Sequence, residues 1–155
     1  MDVKTNLESE LRNLFDLLPL DQAMPKLLGS RSLPDSARIV EGFTGPNEIL
    51  TGLWLYVDDL ARSHSISQGI STTTGSYWHG IMHRREGDFS NAKYWFRKVG
   101  NHPVIDSLAY DPCAFTDECE ADRGQNSPKL VEMQRLEWKS LFDWSMKEAS
   151  IARNG

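Results

Sequence analysis

The sequence contains no long hydrophobic run. None of its apolar stretches approaches the roughly 18 consecutive residues that a membrane-spanning helix needs, and its first residues carry no basic segment followed by an apolar one. A secretory signal would require that second pattern. We therefore expect a cytoplasmic protein whose partners do not include a membrane.

Cysteine is scarce. The chain has 2 cysteines, Cys113 and Cys119, separated by five residues. This spacing fits neither a zinc knuckle nor a thioredoxin-like redox pair. We expect reduced, unpaired thiols, with a local disulfide only in an oxidising compartment.

The sequence also lacks an excess of positive charge. It has 17 lysines and arginines against 22 acidic residues, a net charge of −5. Nucleic-acid binding depends on a basic surface that neutralises phosphates, so nucleic acid is not an expected partner. The one basic cluster is interleaved with acids, which predicts a solvated helix face; its members are Arg84, Arg85, Lys93, Arg97 and Lys98.

What the sequence does contain is helical periodicity. Its 155 residues, 39% hydrophobic and 25% charged, match one globular domain over residues 1–155. Apolar residues recur at helical spacing and no alternating run indicates a sheet. The predicted helices cover about 5–18, 21–28, 46–64, 76–86, 89–99, 114–122 and 128–152. The predicted fold is therefore all-α, a compact bundle or orthogonal array of about five to seven helices.

Residues 80–99 resemble one tetratricopeptide-type helix pair. Gly80 stands where that motif keeps a small residue, Gly87-Asp88 matches its turn, and Ala92 and Phe96 match its contact residue and aromatic plug. The resemblance implies a close-packed helix hairpin at 76–99. It covers one repeat only, whereas solenoids need about three for stability, so a repeat protein is not expected.

The wider string WHGIMHRREGDFSNAKYWFRKVGNHP, residues 78–103, is similar to that of an uncharacterised protein family. That similarity implies no activity. It does direct attention to this segment as the place where a function would be found.

Two histidines on the first helix of the pair are spaced for metal binding. His79, His83 and Glu86 stand at i, i+4 and i+7, so they project from one side of that helix. Two imidazoles at i and i+4 can hold one divalent metal ion such as zinc. We predict His79, His83 and Glu86 as candidate metal ligands; further donors would come from Asp58, Asp59 or His64.

Other interpretations stay open. The histidines are also explained as buried groups that donate to a carboxylate or a backbone carbonyl, as buried histidines commonly do. The first functional hypothesis is a binding or interaction domain for an unknown small molecule or protein, with a histidine-, arginine- and aromatic-rich site in residues 76–103. Its candidate ligand-binding residues are Asp58, Asp59, His64, Trp78, Arg84 and Arg97.

The alternative hypothesis is a metal-dependent or acid–base enzyme that uses His79 and His83. Carboxylates of Asp58, Asp59 or Glu86 would then orient a histidine as general base. Arginines would stabilise an anionic substrate; the candidates are Arg84, Arg85 and Arg97. The sequence does not decide whether the protein is an enzyme, and it assigns no catalytic residue and no organic cofactor.

Overall fold

The computed structural model describes residues 3–154, with side chains described for residues 7–151. Over that range the chain forms nine helices and no strand. The helices are α1 (Val3–Leu17), α2 (Pro34–Glu41), α3 (Asn47–Tyr56), α4 (Leu60–Ser67), α5 (Thr73–Glu86), α6 (Phe89–Val99), α7 (Pro103–Leu108), α8 (Pro112–Ala121) and α9 (Pro128–Asn154). The predicted all-α class is confirmed. None of the described helices combines the length and the apolar composition needed to cross a membrane.

The predicted helix 46–64 is wrong as a single element. It is broken into α3 and α4 at Asp58, whose backbone adopts a left-handed conformation with φ 64°. The next residue, Asp59, caps α4, because its carboxylate accepts a hydrogen bond from the backbone N–H of Arg62 at 3.0 Å. As a result α4 leaves the line of α3 and packs against both α3 and α5.

Three smaller differences lie elsewhere in the chain, and two of them concern proline. No helix forms at 21–28, where the chain makes turns and bends. Helices begin instead at Pro34 and Pro103, two prolines that look like chain breaks in the sequence. Proline is tolerated in the first helical turn because the backbone N–H that it lacks would have no partner there. The helix predicted near 114–122 is present as α8.

The helix hairpin is confirmed as α5 and α6. Helix α5 begins a little earlier than predicted, because Thr72 accepts a hydrogen bond from the backbone N–H of Gly75 at 3.1 Å. It ends at Gly87 in the left-handed conformation, φ 88°. A side chain at Gly80 would place its Cβ 2.6 Å from the ring of Phe96, so only glycine lets the two helices approach this closely.

The prediction of a solvated basic face is wrong for Arg84 and Arg85, which are both 0% exposed. Arg84 binds both carboxylate oxygens of Glu137 on α9, at 2.7 and 3.0 Å. Arg85 binds Asp58 at 2.5 Å and donates further hydrogen bonds to backbone carbonyl oxygens. A buried arginine is tolerable only with such partners, and distant parts of the chain supply them here. Arg97 and Lys98 are exposed, as predicted.

Helix α9 lies across the other helices and is anchored by indole hydrogen bonds. Trp138 on α9 donates to the backbone oxygen of Gly52 on α3 at 2.8 Å. Trp78 on α5 donates to the hydroxyl of Ser145 on α9 at 3.3 Å. The helix hairpin is therefore held from one side by α9, while α4 packs against α5 elsewhere.

Candidate functional site

Three of the four histidines of the chain converge where α4 packs on α5. One ring nitrogen from each of His64, His79 and His83 lies within 4.8 Å of the other two. The rings of His79 and His83, one turn apart on α5, are stacked at 4.7 Å. The ring of His64 meets both edge-on, at 5.0 and 5.2 Å between centroids. We call these three residues the histidine cluster.

His79 is the most enclosed member of the cluster. Its side chain is buried, and its ring stacks on that of Trp95 with 3.8 Å between centroids. Its Nδ1 atom is buried without a hydrogen-bond partner among the described residues. Leaving such an atom unpaired costs about 1–3 kcal/mol, and packing alone does not account for it.

The charge state of His79 follows from its surroundings. Burial lowers its pKa to about 4, and the neighbouring His83, His64 and Lys98 contribute in the same direction. The imidazole is therefore neutral at pH 7, and one of its two ring nitrogens carries a free lone pair.

His83 is oriented by Glu86. The Nδ1 atom of His83 lies 2.5 Å from a carboxylate oxygen of Glu86. A carboxylate only accepts hydrogen bonds, so Nδ1 carries a proton, and in the neutral imidazole Nε2 keeps the lone pair. The side-chain amide of Asn91 donates to that Nε2 at 3.2 Å. A metal ion at Nε2 would take the place of this amide.

The cluster lies close to the protein surface on the side of α6. His64 and Trp95 are half-buried, and Lys98 is exposed. The ammonium group of Lys98 sits over the Trp95 ring, 4.6 Å from its centroid. The cluster is thus bordered by a half-buried aromatic ring and an exposed positive charge.

The remaining predicted residues do not join the cluster. Asp58 and Arg84 are committed to their buried ion pairs, and Trp78 is fully buried in the core. The arrangement in which Asp58 or Asp59 holds a histidine is not formed, because Asp58 binds Arg85 and Asp59 caps α4.

Arg97 belongs to a different face of α6. Its charge acts on the thiol of Cys113, at the beginning of α8. Cys113 and Cys119 form no disulfide in the structure, and the reduced state of their thiols stays a prediction.

Sequence reasoning missed three residues around the cluster: Asn91, Trp95 and Lys98. Asn91 and Trp95 are one helical turn apart and Lys98 follows three residues later, so all three lie on one side of α6. Ala92 and Phe96 face the core from the adjacent side. The hairpin pattern could have predicted these three residues, because positions next to the contact residues of a helix pair line the edge of that pair.

The distances between the ring nitrogens determine how far the cluster must contract around a metal ion. Tetrahedral zinc with Zn–N bonds of about 2.0–2.1 Å places its nitrogens about 3.3–3.4 Å apart. The 4.8 Å limit of the cluster therefore requires a contraction of at most about 1.5 Å. Side-chain rotations of the three histidines can supply that movement without a change in the helix backbones.

Comparison with known proteins gives no relative on which to map the cluster. No family model, no curated protein and no solved structure matches the chain. The functional argument therefore depends on the geometry of the chain itself.

Proposed function

We propose that this protein binds one divalent metal ion such as zinc through the side chains of His64, His79 and His83. The observation that carries the proposal is the convergence of three ring nitrogens, one of the residues having a buried Nδ1 without a partner. Neutral imidazole is a common ligand of zinc, copper, nickel and iron.

The pairing of His83 with Glu86 supports a metal. Histidines that bind metals almost always donate their other ring N–H to a carboxylate, a carbonyl or water, which fixes the tautomer and the ring orientation. Glu86 accepts from Nδ1 of His83, so Nε2 is the ligand atom available. The sequence predicts Glu86 as a direct ligand; we propose instead that it supports His83.

The competing interpretations explain fewer of these contacts. A purely structural role for the histidines leaves Nδ1 of His79 unexplained. The surface cleft of the binding-domain hypothesis would need Arg84 and Trp78, which are both 0% exposed. Among the described residues, the acid–base hypothesis retains only one carboxylate that orients one of these histidines, that of Glu86.

The direct test is calorimetric titration of zinc chloride into protein that has been purified without a histidine tag and treated with EDTA. We expect one zinc ion per chain. Free zinc at 100 times its Kd should stabilise the fold by about 2.7 kcal/mol. For a chain of this size that raises Tm by roughly 5–10 °C.

Variants assign the ligands. His64→Gln removes a half-buried ligand with little effect on packing, and we expect it to abolish stoichiometric binding. Glu86→Gln should weaken zinc binding about 10- to 100-fold. The matched control is His102→Asn: this fourth histidine caps α7, and asparagine can accept the same backbone hydrogen bond. Absence of zinc binding by the wild type, or equal affinity in His64→Gln, would overturn the proposal.

A further inference from the structure

We propose that the metal keeps one exchangeable coordination position, which takes a small anion and opens beside the ammonium group of Lys98. This inference rests on the proposed function and extends it. It assigns a ligand class, inorganic anions and carboxylates, to the same site.

The first argument is the number of protein ligands. Among the described residues, the three histidines form one group of potential ligand atoms without an acid or a cysteine, and only His83 also belongs to a second group, with Glu86 and Asp88. Structural zinc sites are closed by four protein ligands, whereas sites that act on exogenous ligands have three and an open position. A tetrahedral ion here would therefore bind a fourth ligand from solvent.

The two nearest acids are not free to close the site. Glu86 is engaged with Nδ1 of His83, the nitrogen opposite the proposed ligand atom. Asp88 caps α6, and its two carboxylate oxygens accept from the backbone N–H of Asn91 at 3.3 Å and from its side-chain amide at 3.4 Å. Recruiting either acid as a fourth ligand would compete with the contact that it makes within its own helix.

The second argument is charge. Three neutral imidazoles leave the full charge of a divalent ion uncompensated, and Glu86 supplies one nearby negative charge. Lys98 adds a positive charge, held over the Trp95 ring that stacks on His79. The resulting site is cationic, so an anion is favoured over a neutral ligand at the fourth position.

The third argument is access. His64 and Trp95 are half-buried and Lys98 is exposed, so the cluster is not sealed on the side of α6. The Trp95 ring, which stacks on His79, gives a weakly polar surrounding in which an anion and a metal ion attract each other more strongly than in water. Because His79 and His83 are buried, the ligand that fits is a small anion or the carboxylate end of a larger molecule.

The experiment uses cobalt(II), which reports its coordination through visible absorption, in place of zinc in the full-length chain. Azide and then acetate are titrated into the cobalt protein. We expect saturable changes in the cobalt spectrum with both anions. Lys98→Met should weaken apparent azide binding about 3- to 10-fold while cobalt affinity changes less than about twofold. Lys147→Met, which removes an exposed lysine on α9, is the matched control.

The outcomes separate the two proposals. If no cobalt spectrum develops and zinc does not bind, the proposed function fails and this inference fails with it. If cobalt binds with a spectrum that neither anion alters, the metal site stands and the exchangeable position is refuted. If the anions bind equally well to wild type and Lys98→Met, the role assigned to Lys98 is wrong.

Discussion

Replacing Glu137 with leucine should remove about 3–5 kcal/mol from the free energy of unfolding, because it leaves the Arg84 guanidinium buried without its counter-charge. Both side chains are 0% exposed, and their two hydrogen bonds of 2.7 and 3.0 Å join residues 53 positions apart. Glu137 also accepts from the hydroxyl of Tyr110 at 2.7 Å. Without the carboxylate, Arg84 keeps only Gln134 at 3.4 Å and the ring of Phe115 at 4.7 Å.

The reverse replacement, Arg84→Met, should lower the free energy of unfolding by a similar amount, because it leaves the Glu137 carboxylate buried without its counter-charge. The double variant Arg84→Met/Glu137→Leu leaves neither charge buried without a partner. It should lose only about 1–3 kcal/mol, mainly because the hydroxyl of Tyr110 loses its acceptor. The two single losses sum to about 6–10 kcal/mol, and subtracting the loss of the double variant leaves a coupling of about 3–9 kcal/mol between the sites.

Urea denaturation at pH 7, followed by circular dichroism and tryptophan fluorescence, measures these differences. With a slope of about 2 kcal/mol/M, each single variant should unfold at about 1.5–2.5 M less urea than the wild type. The double variant should unfold at higher urea than either single variant. That comparison holds even if the single variants barely fold. A double variant less stable than either single one would refute the reasoning.

Two further predictions concern packing at other points of the fold. Gly80→Ala should destabilise the protein by up to about 2 kcal/mol in the same assay, since overpacking against Phe96 costs about 1–3 kcal/mol and helix propensity returns about 1. Cys119 should resist Ellman's reagent at pH 8 while Cys113 reacts: burial raises the pKa of Cys119 to about 11, leaving about one thiolate in a thousand. The coloured thiolate that Ellman's reagent releases is measured by its absorbance.

Another glycine and the other cysteine of the chain provide the controls for these two predictions. Gly69 is an exposed glycine whose added Cβ would meet its nearest neighbour at an ordinary 3.6 Å, so Gly69→Ala should change stability by less than about 0.5 kcal/mol. A Gly80→Ala variant more stable than the wild type would contradict the proposed close contact. Cys113→Ser leaves Cys119 as the single thiol, and rapid labelling of that variant would show that Cys119 is not enclosed.

The break between α3 and α4 shows where local pattern fails. Apolar residues run at helical spacing from Ile49 to Ala61, so the sequence predicts one helix through this stretch. The chain turns at Asp58 instead, and the carboxylate of Asp58 binds Arg85, 27 residues further on. No local signal distinguishes this aspartate from an exposed one, because its partner is fixed only by tertiary packing.

The same turn decides the composition of the candidate site. The i, i+4 spacing of His79 and His83 is visible in the sequence, and it predicts a shared side of α5. His64 was one of several candidates for a further donor. It joins the cluster because α4 departs from α3 and packs on α5.

The sequence by itself determined the all-α class, the helix hairpin and the pair of histidines, since each depends on contacts within one or two adjacent helices. Periodicity, caps and the small residues at 80 and 92 express those contacts directly. Only the tertiary structure decided that Arg84 and Arg85 are buried and that a third histidine completes the cluster. Both outcomes depend on partners on other helices, and the charge and spacing of residues along a chain do not predict which distant residues become partners.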